Sequence, residues 1–154
     1  RGLTLRPSPR VSERRRTVSF LLDTNVISEF RKGQGANRNV VDWLRDNRDE
    51  RLFLSVLTIG EIRKGIDRLN LRAAGSAQEL ETWLDKTRQQ FAGRIIPVDQ
   101  EIAEAWGAMS AGADPPPAID ALLAATALVR NLTLVTRNTR DIERTGVAWL
   151  NPFS

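Results

Sequence analysis

Acidic residues at the ends of predicted strands, or in the first turns of nearby helices, are the groups of this chain best suited to chemistry. They are Asp23, Glu61, Asp120 and Asp141, with the amide of Asn138 beside the last. In a parallel α/β sheet, all these places face one edge, where ligands bind. Carboxylates brought together there repel one another unless they are protonated or bridged by a cation. The pattern therefore predicts a cation site at one edge of a sheet.

The absence of two residue types limits that chemistry to oxygen ligands. The 154 residues include no cysteine and no histidine, which excludes disulfides, thiolate zinc sites, cysteine nucleophiles and the commonest general base. A cluster of oxygen ligands favours Mg²⁺ or Mn²⁺ over zinc. Such an ion lowers the pKa of water and stabilises charge on a phosphate, so the pattern suits hydrolysis of a phosphodiester.

Two of these acids have an alternative local interpretation as helix caps. Aspartate is a preferred N-cap residue, so Asp23 alone is equally suited to capping the helix that follows it. Glu61 lies three residues after Thr58, and this spacing predicts a capping box. On local evidence the capping box is favoured over a catalytic role for Glu61. Asp99 is predicted to cap a helix rather than to take part in chemistry.

Alternating strands and helices place these acids in a predicted three-layer α/β/α domain with a mostly parallel central sheet. Apolar runs predict strands at residues 18–22, 52–56, 94–98, 132–135 and 147–150. Apolar periodicity and cap residues predict helices at 26–31, 39–47, 99–110 and 118–129, and two more that begin at 58 and 76. Ser76 and Glu79 repeat the capping-box spacing. The helix at 118–129 is apolar on all sides, so we expect it to be largely buried.

Charge is concentrated in the first residues of the chain. The net charge is +4, of which residues 1–22 contribute +5 and the remainder −1, so the folded part is not a strongly basic surface. Residues 1–17 are predicted to be a disordered arm, and 18–154 one domain. The arm either binds RNA, binds a partner or is only an extension. It lacks the apolar core of a secretory signal, so we expect a cytoplasmic protein.

Five segments of the chain resemble one known family. Residues 21–29 read LLDTNVISE, 119–127 read IDALLAATA and 135–141 read VTRNTRD. These segments, together with 92–99 and 147–152, resemble PIN-domain ribonucleases, and more closely the VapC/FitB-type toxins of bacterial toxin–antitoxin pairs. The resemblance spans about residues 18–153 and keeps the order of the family.

The resemblance implies a role for each acid. Asp23 and Asp120 match the two main metal-binding aspartates, and Glu61 matches the second acid of the family. The fourth acidic position is open between Asn138 and Asp141. We favour Asp141 for the charge and Asn138 as a neutral supporting group.

Two further polar residues stand beside these acids in the matching segments. Asn25 and Thr136 either orient metal, water or substrate phosphate, or only make hydrogen bonds in a turn and at a strand end. The residue types leave both interpretations open.

The resemblance also implies an activity and its partners. The expected enzyme is a Mg²⁺-dependent endoribonuclease, with Mn²⁺ as the alternative ion, in which metal-activated water attacks an RNA phosphodiester in line. The expected partners are RNA, a second copy of the chain and a cognate antitoxin that sends a segment toward the acidic site. The homodimer, or a larger toxin–antitoxin assembly, rests on the resemblance alone.

Other functions of an α/β sheet fit the sequence less well. A haloacid dehalogenase needs a second aspartate two residues after the first, where this chain has Asn25. A response-regulator receiver needs a lysine after a late strand, and no lysine follows Lys86. The alternative that stays open is a non-catalytic module that keeps the PIN fold and binds RNA or protein.

Overall fold

A five-stranded parallel sheet forms the centre of the protein in the computed structural model, which describes residues 18–47 and 49–154. Its strands are β1 (Phe20–Leu22), β2 (Leu52–Ser55), β3 (Ile95–Ile96), β4 (Thr133–Val135) and β5 (Trp149–Leu150). Their order is β3-β2-β1-β4-β5, and every neighbouring pair is parallel. The predicted parallel sheet is therefore confirmed, and the carboxyl ends of all five strands meet at one edge. The predicted arm at 1–17 lies outside the described residues.

Helices connect the strands and cover both faces of the sheet. They are α1 (Thr24–Ile27), α2 (Arg38–Asp46), α3 (Val56–Arg72), α4 (Gln78–Gln90), α5 (Gln100–Met109), α6 (Ala118–Arg130) and α7 (Thr139–Ile142). Short 3₁₀ segments cover Ser28–Gly35, Asp49–Arg51 and Glu143–Thr145. None of the helices in the described part of the chain combines the length and the apolar character needed to cross a membrane.

The central strand β1 shows why three layers form. Successive side chains of a strand point to opposite faces. Leu21 packs with Leu123 of α6 on one face, whereas Leu22 packs with Val40 of α2 and Leu54 of β2 on the other. Both leucines are fully buried. Since apolar contacts cover each face, the α/β/α architecture follows directly from the apolar run before Asp23.

The two predicted capping boxes are wrong. Helix α3 begins at Val56, and its N-cap is Ser55, whose hydroxyl accepts a hydrogen bond from the backbone N–H of Leu57 at 3.0 Å. Thr58 therefore lies inside the first turn. Strand β2 runs into α3 without a loop, so the cap falls on the last strand residue.

The second predicted box fails in a similar way. Helix α4 begins at Gln78, and its N-cap, Ala77, makes no side-chain capping bond. The Ser76 hydroxyl instead donates to the carbonyl of Ala73 at 2.6 Å. Ser76 thus completes the turn between α3 and α4 and does not begin the helix.

Helix α6 brings the second acidic segment to the sheet. Residues 123–127 are buried, as predicted, whereas Ile119 and Leu128 near its ends are exposed. Asn131 then stops the helix in a left-handed conformation with φ of 55°, which asparagine tolerates better than most residues. At the neighbouring helix α5, Asp99 accepts a hydrogen bond from the N–H of Ile102 at 2.9 Å, so its predicted capping role is confirmed.

Candidate active site

Strand β1 delivers Asp23 to the carboxyl edge of the sheet, where three donors hold its carboxylate. One oxygen accepts from the backbone N–H of Thr24 at 2.7 Å. The other accepts from the Thr136 hydroxyl at 2.7 Å and from the Asn25 amide at 3.3 Å. The residue is only 6% exposed. Asp23 therefore occupies the N-cap position of α1, and its second oxygen is held by side chains of two strand-end loops.

Thr136 and Asn25 join the loop after β1 to the loop after β4. The buried Thr136 hydroxyl donates to Asp23 and accepts from the backbone N–H of Asn138 at 3.0 Å. The Asn25 side-chain oxygen Oδ1 accepts from the backbone N–H of Arg137 at 3.2 Å. Both residues thus make strand-end hydrogen bonds, and both also orient the carboxylate of Asp23.

Helix α3 places Glu61 next to the same loop. Its carboxylate accepts a hydrogen bond from the Thr24 hydroxyl at 2.6 Å. Thr24 also donates its backbone N–H to Asp23, so this one residue touches two of the four acids. Glu61 therefore contacts the β1 edge and does not close a capping box on its own helix.

Asp120, in the first turn of α6, stands in the electrostatic field of the other three acids. Burial is the largest cause that raises its pKa, followed by the negative charges of Asp23, Asp141 and Glu61. A side-chain hydrogen bond from Asn138 acts in the opposite direction. The structure thus brings the other three predicted acids close enough to Asp120 for their charges to act on it, with Asn138 as a neutral donor beside it.

Asp141 lies at the outer side of this group, on the short helix α7. Its carboxylate is 3.7 Å from the guanidinium of Arg144, and its side chain is 39% exposed. Arg144 also donates to the carbonyl and carboxylate oxygens of Asp114, at 2.9 and 3.0 Å. The same arginine therefore links Asp141 to the loop that precedes α6.

Burial opposes the charge of Asp23 as well. Desolvation raises the pKa of Asp23 above its ordinary value of 3.8, although hydrogen bonds from Thr136, Thr24 and Asn25 partly offset this effect. Two carboxyl groups with raised pKa values, set among further acids, favour a bound cation.

The site fits a hard divalent cation in charge and donor type. Its four acids offer only oxygen atoms to a cation, and oxygen ligands suit Mg²⁺ or Mn²⁺. Nevertheless, no three acidic side chains among residues 18–47 and 49–154 lie close enough together to hold a metal ion between them. Hydrogen bonds from Thr24 and Thr136 occupy oxygens of Glu61 and Asp23. Within these residues, the negative charge suits a cation, but no three carboxylates are arranged to coordinate one.

Two contributors to the site were missed by sequence reasoning. Thr24 bridges Asp23 and Glu61, and Arg144 pairs with Asp141. The sequence held a signal for each, because Thr24 directly follows Asp23 and Arg144 stands three residues after Asp141. Neither spacing distinguishes these contacts from ordinary turn and helix-surface contacts.

Comparison with known proteins gives one family and several relatives. The family model described as PIN domain matches residues 20–148. The chain is 36% identical over 141 residues to the plasmid stability protein StbB of Pseudomonas syringae pv. tomato, covering 87% of this chain and 98% of the relative. It is 36% identical over 138 residues to toxin FitB of Neisseria gonorrhoeae, with coverage of 87% and 98%. It is 30% identical over 143 residues to VapC ribonuclease Y4jK of Sinorhizobium fredii, with coverage of 87% and 97%.

Solved structures show the same similarity at the level of the fold. FitAB bound to a DNA fragment has a TM-score of 0.74 and 31% identity, covering 88% of this chain and 96% of that chain. FitAcB from Neisseria gonorrhoeae has a TM-score of 0.72 and 33% identity, with coverage of 87% and 98%. VapBC-1 from nontypeable Haemophilus influenzae has a TM-score of 0.70 at 19% identity, covering 89% of this chain and 100% of that chain, which shows the fold alone.

Proposed function

This chain belongs to the PIN-domain family, among its VapC/FitB-type toxins, and from that premise we propose that it is a metal-dependent endoribonuclease. The observation that carries the proposal is the group of four acids around Asp120. Its pKa is raised by burial and by the charges of Asp23, Asp141 and Glu61. A relative that is 30% identical is named as a ribonuclease. These findings together favour hydrolysis of RNA phosphodiesters.

The chain's own residues have distinct tasks in this reaction. Asp23 and Asp120 hold the cation, because both are carboxylates whose raised pKa values show an unfavourable environment for bare charge. Mg²⁺ or Mn²⁺, when bound, lowers the pKa of water and stabilises negative charge on phosphate. Thr136 and Asn25 keep Asp23 in one orientation through the two bonds to the same oxygen.

Proton transfer falls to Glu61. We assign Glu61 to accept the proton that the attacking water loses as its oxygen bonds to phosphorus. The bond from phosphorus to the ribose oxygen then breaks, and that oxygen gains a proton from solvent. The Thr24 hydroxyl fixes Glu61 for this task, while Asp141 and the neutral Asn138 complete the group around Asp120.

The proposed partners follow from the toxin relatives. Because toxin FitB is 36% identical over nearly its whole length, we propose that a cognate antitoxin inhibits this chain. An arginine from such a partner is attracted to the acidic group as any guanidinium is to carboxylates. Homodimerisation and a cytoplasmic location are proposed on the same family basis.

The test is cleavage of a mixed RNA pool. We expect cleavage with Mg²⁺ that stops in EDTA and that falls at least about a hundred-fold in Asp23→Asn and Asp120→Asn, since a ligand matters at least as much as its supporting residues. Asp85→Asn, on the exposed surface of α4, is the matched control and should cleave normally. Cleavage that survives EDTA or both site substitutions contradicts the proposal.

One observation favours a second candidate function. The described residues contain no three acids arranged to hold a metal ion, as expected for a module that binds RNA or protein without cleaving it. RNA binding by the wild-type protein, with no cleavage across a diverse RNA pool at any Mg²⁺ or Mn²⁺ concentration, would support this candidate.

A further inference from the structure

We propose that a cleft beside the acidic group is a subsite for a backbone phosphate of single-stranded RNA, with Arg140 as its principal ligand. This inference rests on the proposed function, because it concerns how the RNA reaches the acids. We call the site the arginine cleft. Its lining residues are Asp114, Pro115, Pro117, Arg140, Asp141 and Arg144.

The position of the arginine cleft makes it suitable for a substrate phosphate. Asp141 lines the cleft and also contributes to the charge around Asp120. The cleft and the acidic group therefore adjoin each other at Asp141. An RNA strand that presents one phosphate to the acids must pass another phosphate along the neighbouring surface. The carboxylates repel that polyanion, so a cation beside them is needed to hold it.

Three arginines follow β4, and two of them already have partners. The Arg137 guanidinium lies over the ring of Phe153, 4.8 Å from its centre. Arg144 donates twice to Asp114 and lies 3.7 Å from Asp141. Arg137 is thus held away from this role by the C-terminal segment. The ion pair of Arg144 with Asp114 is weakly held, because the side chain of Asp114 is 92% exposed.

Arg140 is the uncommitted cation of the cleft. Its residue is exposed, and among residues 18–47 and 49–154 its side chain takes part in no ion pair and no hydrogen bond. A guanidinium carries five N–H donors in a planar fork that matches the oxygens of a phosphate. Arg140 can therefore bind a phosphate without first breaking an existing contact.

Two prolines in the lining of the arginine cleft support this choice of ligand. Pro115 and Pro117 line the cleft, and proline has a fixed φ angle and no backbone N–H. These two positions therefore offer a phosphate no hydrogen-bond donor. A phosphate that enters the cleft must be bound by Arg140, with Arg144 as the second cation.

The experiment measures binding of a mixed-sequence single-stranded RNA oligonucleotide in EDTA, at several KCl concentrations, together with KM and kcat in Mg²⁺. For Arg140→Ala, we expect Kd and KM to rise about five- to ten-fold, with kcat changed by less than about twofold, since one charged phosphate contact is lost. The slope of log Kd against log salt should fall in magnitude by about 0.7. Arg140→Lys should keep that slope, because the charge remains.

Arg88→Ala is the matched control. Arg88 lies in the last turn of α4 just before β3, at the end of the sheet away from the acids, and forms an ion pair with the exposed Asp85. This variant loses the same charge and should leave Kd, KM and the salt slope unchanged. Equal effects of Arg88→Ala and Arg140→Ala would mean that net charge alone is responsible, and would overturn the subsite.

The outcomes separate this inference from the proposed hydrolysis. Cleavage by the wild type with unchanged KM and salt slope in Arg140→Ala overturns the subsite and leaves the nuclease standing. If Arg140→Ala alone weakens RNA binding and the wild type cleaves no RNA, the subsite is supported and the proposed nuclease activity is contradicted. If the wild type binds RNA no more tightly than Arg140→Ala does, or does not bind RNA at all, the subsite is overturned.

Discussion

Asp23 and Asp120 show at the residue scale how burial and charge work against each other. Both carboxyl groups have a pKa above the ordinary value of 3.8, and burial is the largest cause for each. Asp23 has three donors that lower its pKa, whereas among the described residues Asp120 has only Asn138 and faces three other acids. The ionised form of Asp120 is therefore the less well compensated of the two in the folded protein.

Removal of the Asp120 charge should stabilise the protein at neutral pH. Because its folded pKa is raised, the folded state holds more protons than the unfolded state between pH 3.8 and the raised value, so stability falls as pH increases through that window. Urea unfolding in EDTA should give a larger free energy of unfolding for Asp120→Asn than for wild type at pH 7. The difference should disappear below about pH 3, where the wild-type carboxyl is largely protonated in both states. A variant that is less stable at pH 7 contradicts this account.

Thr136 should matter for both stability and activity. Thr136→Val leaves an oxygen of Asp23 and the N–H of Asn138 without the buried hydroxyl. We expect a loss of about 1–3 kcal/mol in the free energy of unfolding and a loss of about 10- to 100-fold in cleavage. The pKa of Asp23 should rise further, because the lost bond lowers it. Thr136→Ser keeps the hydroxyl and should restore most of both, which a purely steric role for Thr136 would not allow.

At the scale of the element, the start of helix α3 decides where Glu61 stands. The helix begins at Val56 under the cap of Ser55, so Glu61 is in its second turn, where the Thr24 hydroxyl reaches it. Thr58 is fully buried, and its hydroxyl has no hydrogen-bond partner in the described part of the chain. Removal of the hydroxyl should therefore have opposite effects on stability at Ser55, which caps the helix, and at Thr58, whose hydroxyl has no partner in the described part of the chain.

Ser55→Ala and Thr58→Val test the observed start of α3. Ser55→Ala should lower the free energy of unfolding by about 1 kcal/mol, because the N–H of Leu57 loses its acceptor. Thr58→Val has nearly the same shape and removes a buried hydroxyl without a partner, so it should be neutral or stabilising. Urea titrations of both variants suffice. A cost for Thr58→Val with no cost for Ser55→Ala would instead support a cap at Thr58.

At the scale of the whole molecule, binding of a cation to the acidic group is linked to the stability of the fold. The four acids come from the residue after β1 and from α3, α6 and α7, which meet only in the folded chain. A cation bound by them therefore stabilises the native state and has no such site in the unfolded state. Stability in the presence of a divalent ion is thus a readout that does not depend on finding the RNA target.

Mg²⁺ should raise the unfolding temperature of the wild-type protein, and EDTA should reverse the effect. At a free concentration one hundred times the Kd, the expected gain is about 2.7 kcal/mol. Asp23→Asn and Asp120→Asn should lose most of this gain, whereas Asp85→Asn should keep it. Thermal denaturation across a Mg²⁺ series, with KCl matched for ionic strength, provides the measurement. An equal gain in all four proteins would indicate general screening and no site.

By itself, the sequence determined the chemistry that is available and the type of sheet. The lack of histidine and cysteine restricts the site to oxygen ligands, and the apolar run before Asp23 produces a buried central strand. Composition and local periodicity belong to the chain in any conformation, so they can be read before it folds. The cap at Asp99 was predictable for the same reason, since its partner Ile102 is three residues away.

Only the tertiary structure decided which side chains hold the acids and where the helices begin. The Thr136 hydroxyl that orients Asp23 is 113 residues distant in the chain, and Thr24 reaches Glu61 across 37 residues. The spacing between Thr58 and Glu61 predicted a capping box, because local spacing contains no information about the Thr24 hydroxyl, which comes from the end of another strand. Such bonds exist because parallel strands bring their carboxyl ends to one edge. Burial there then leaves few alternative partners for a carboxylate or a hydroxyl.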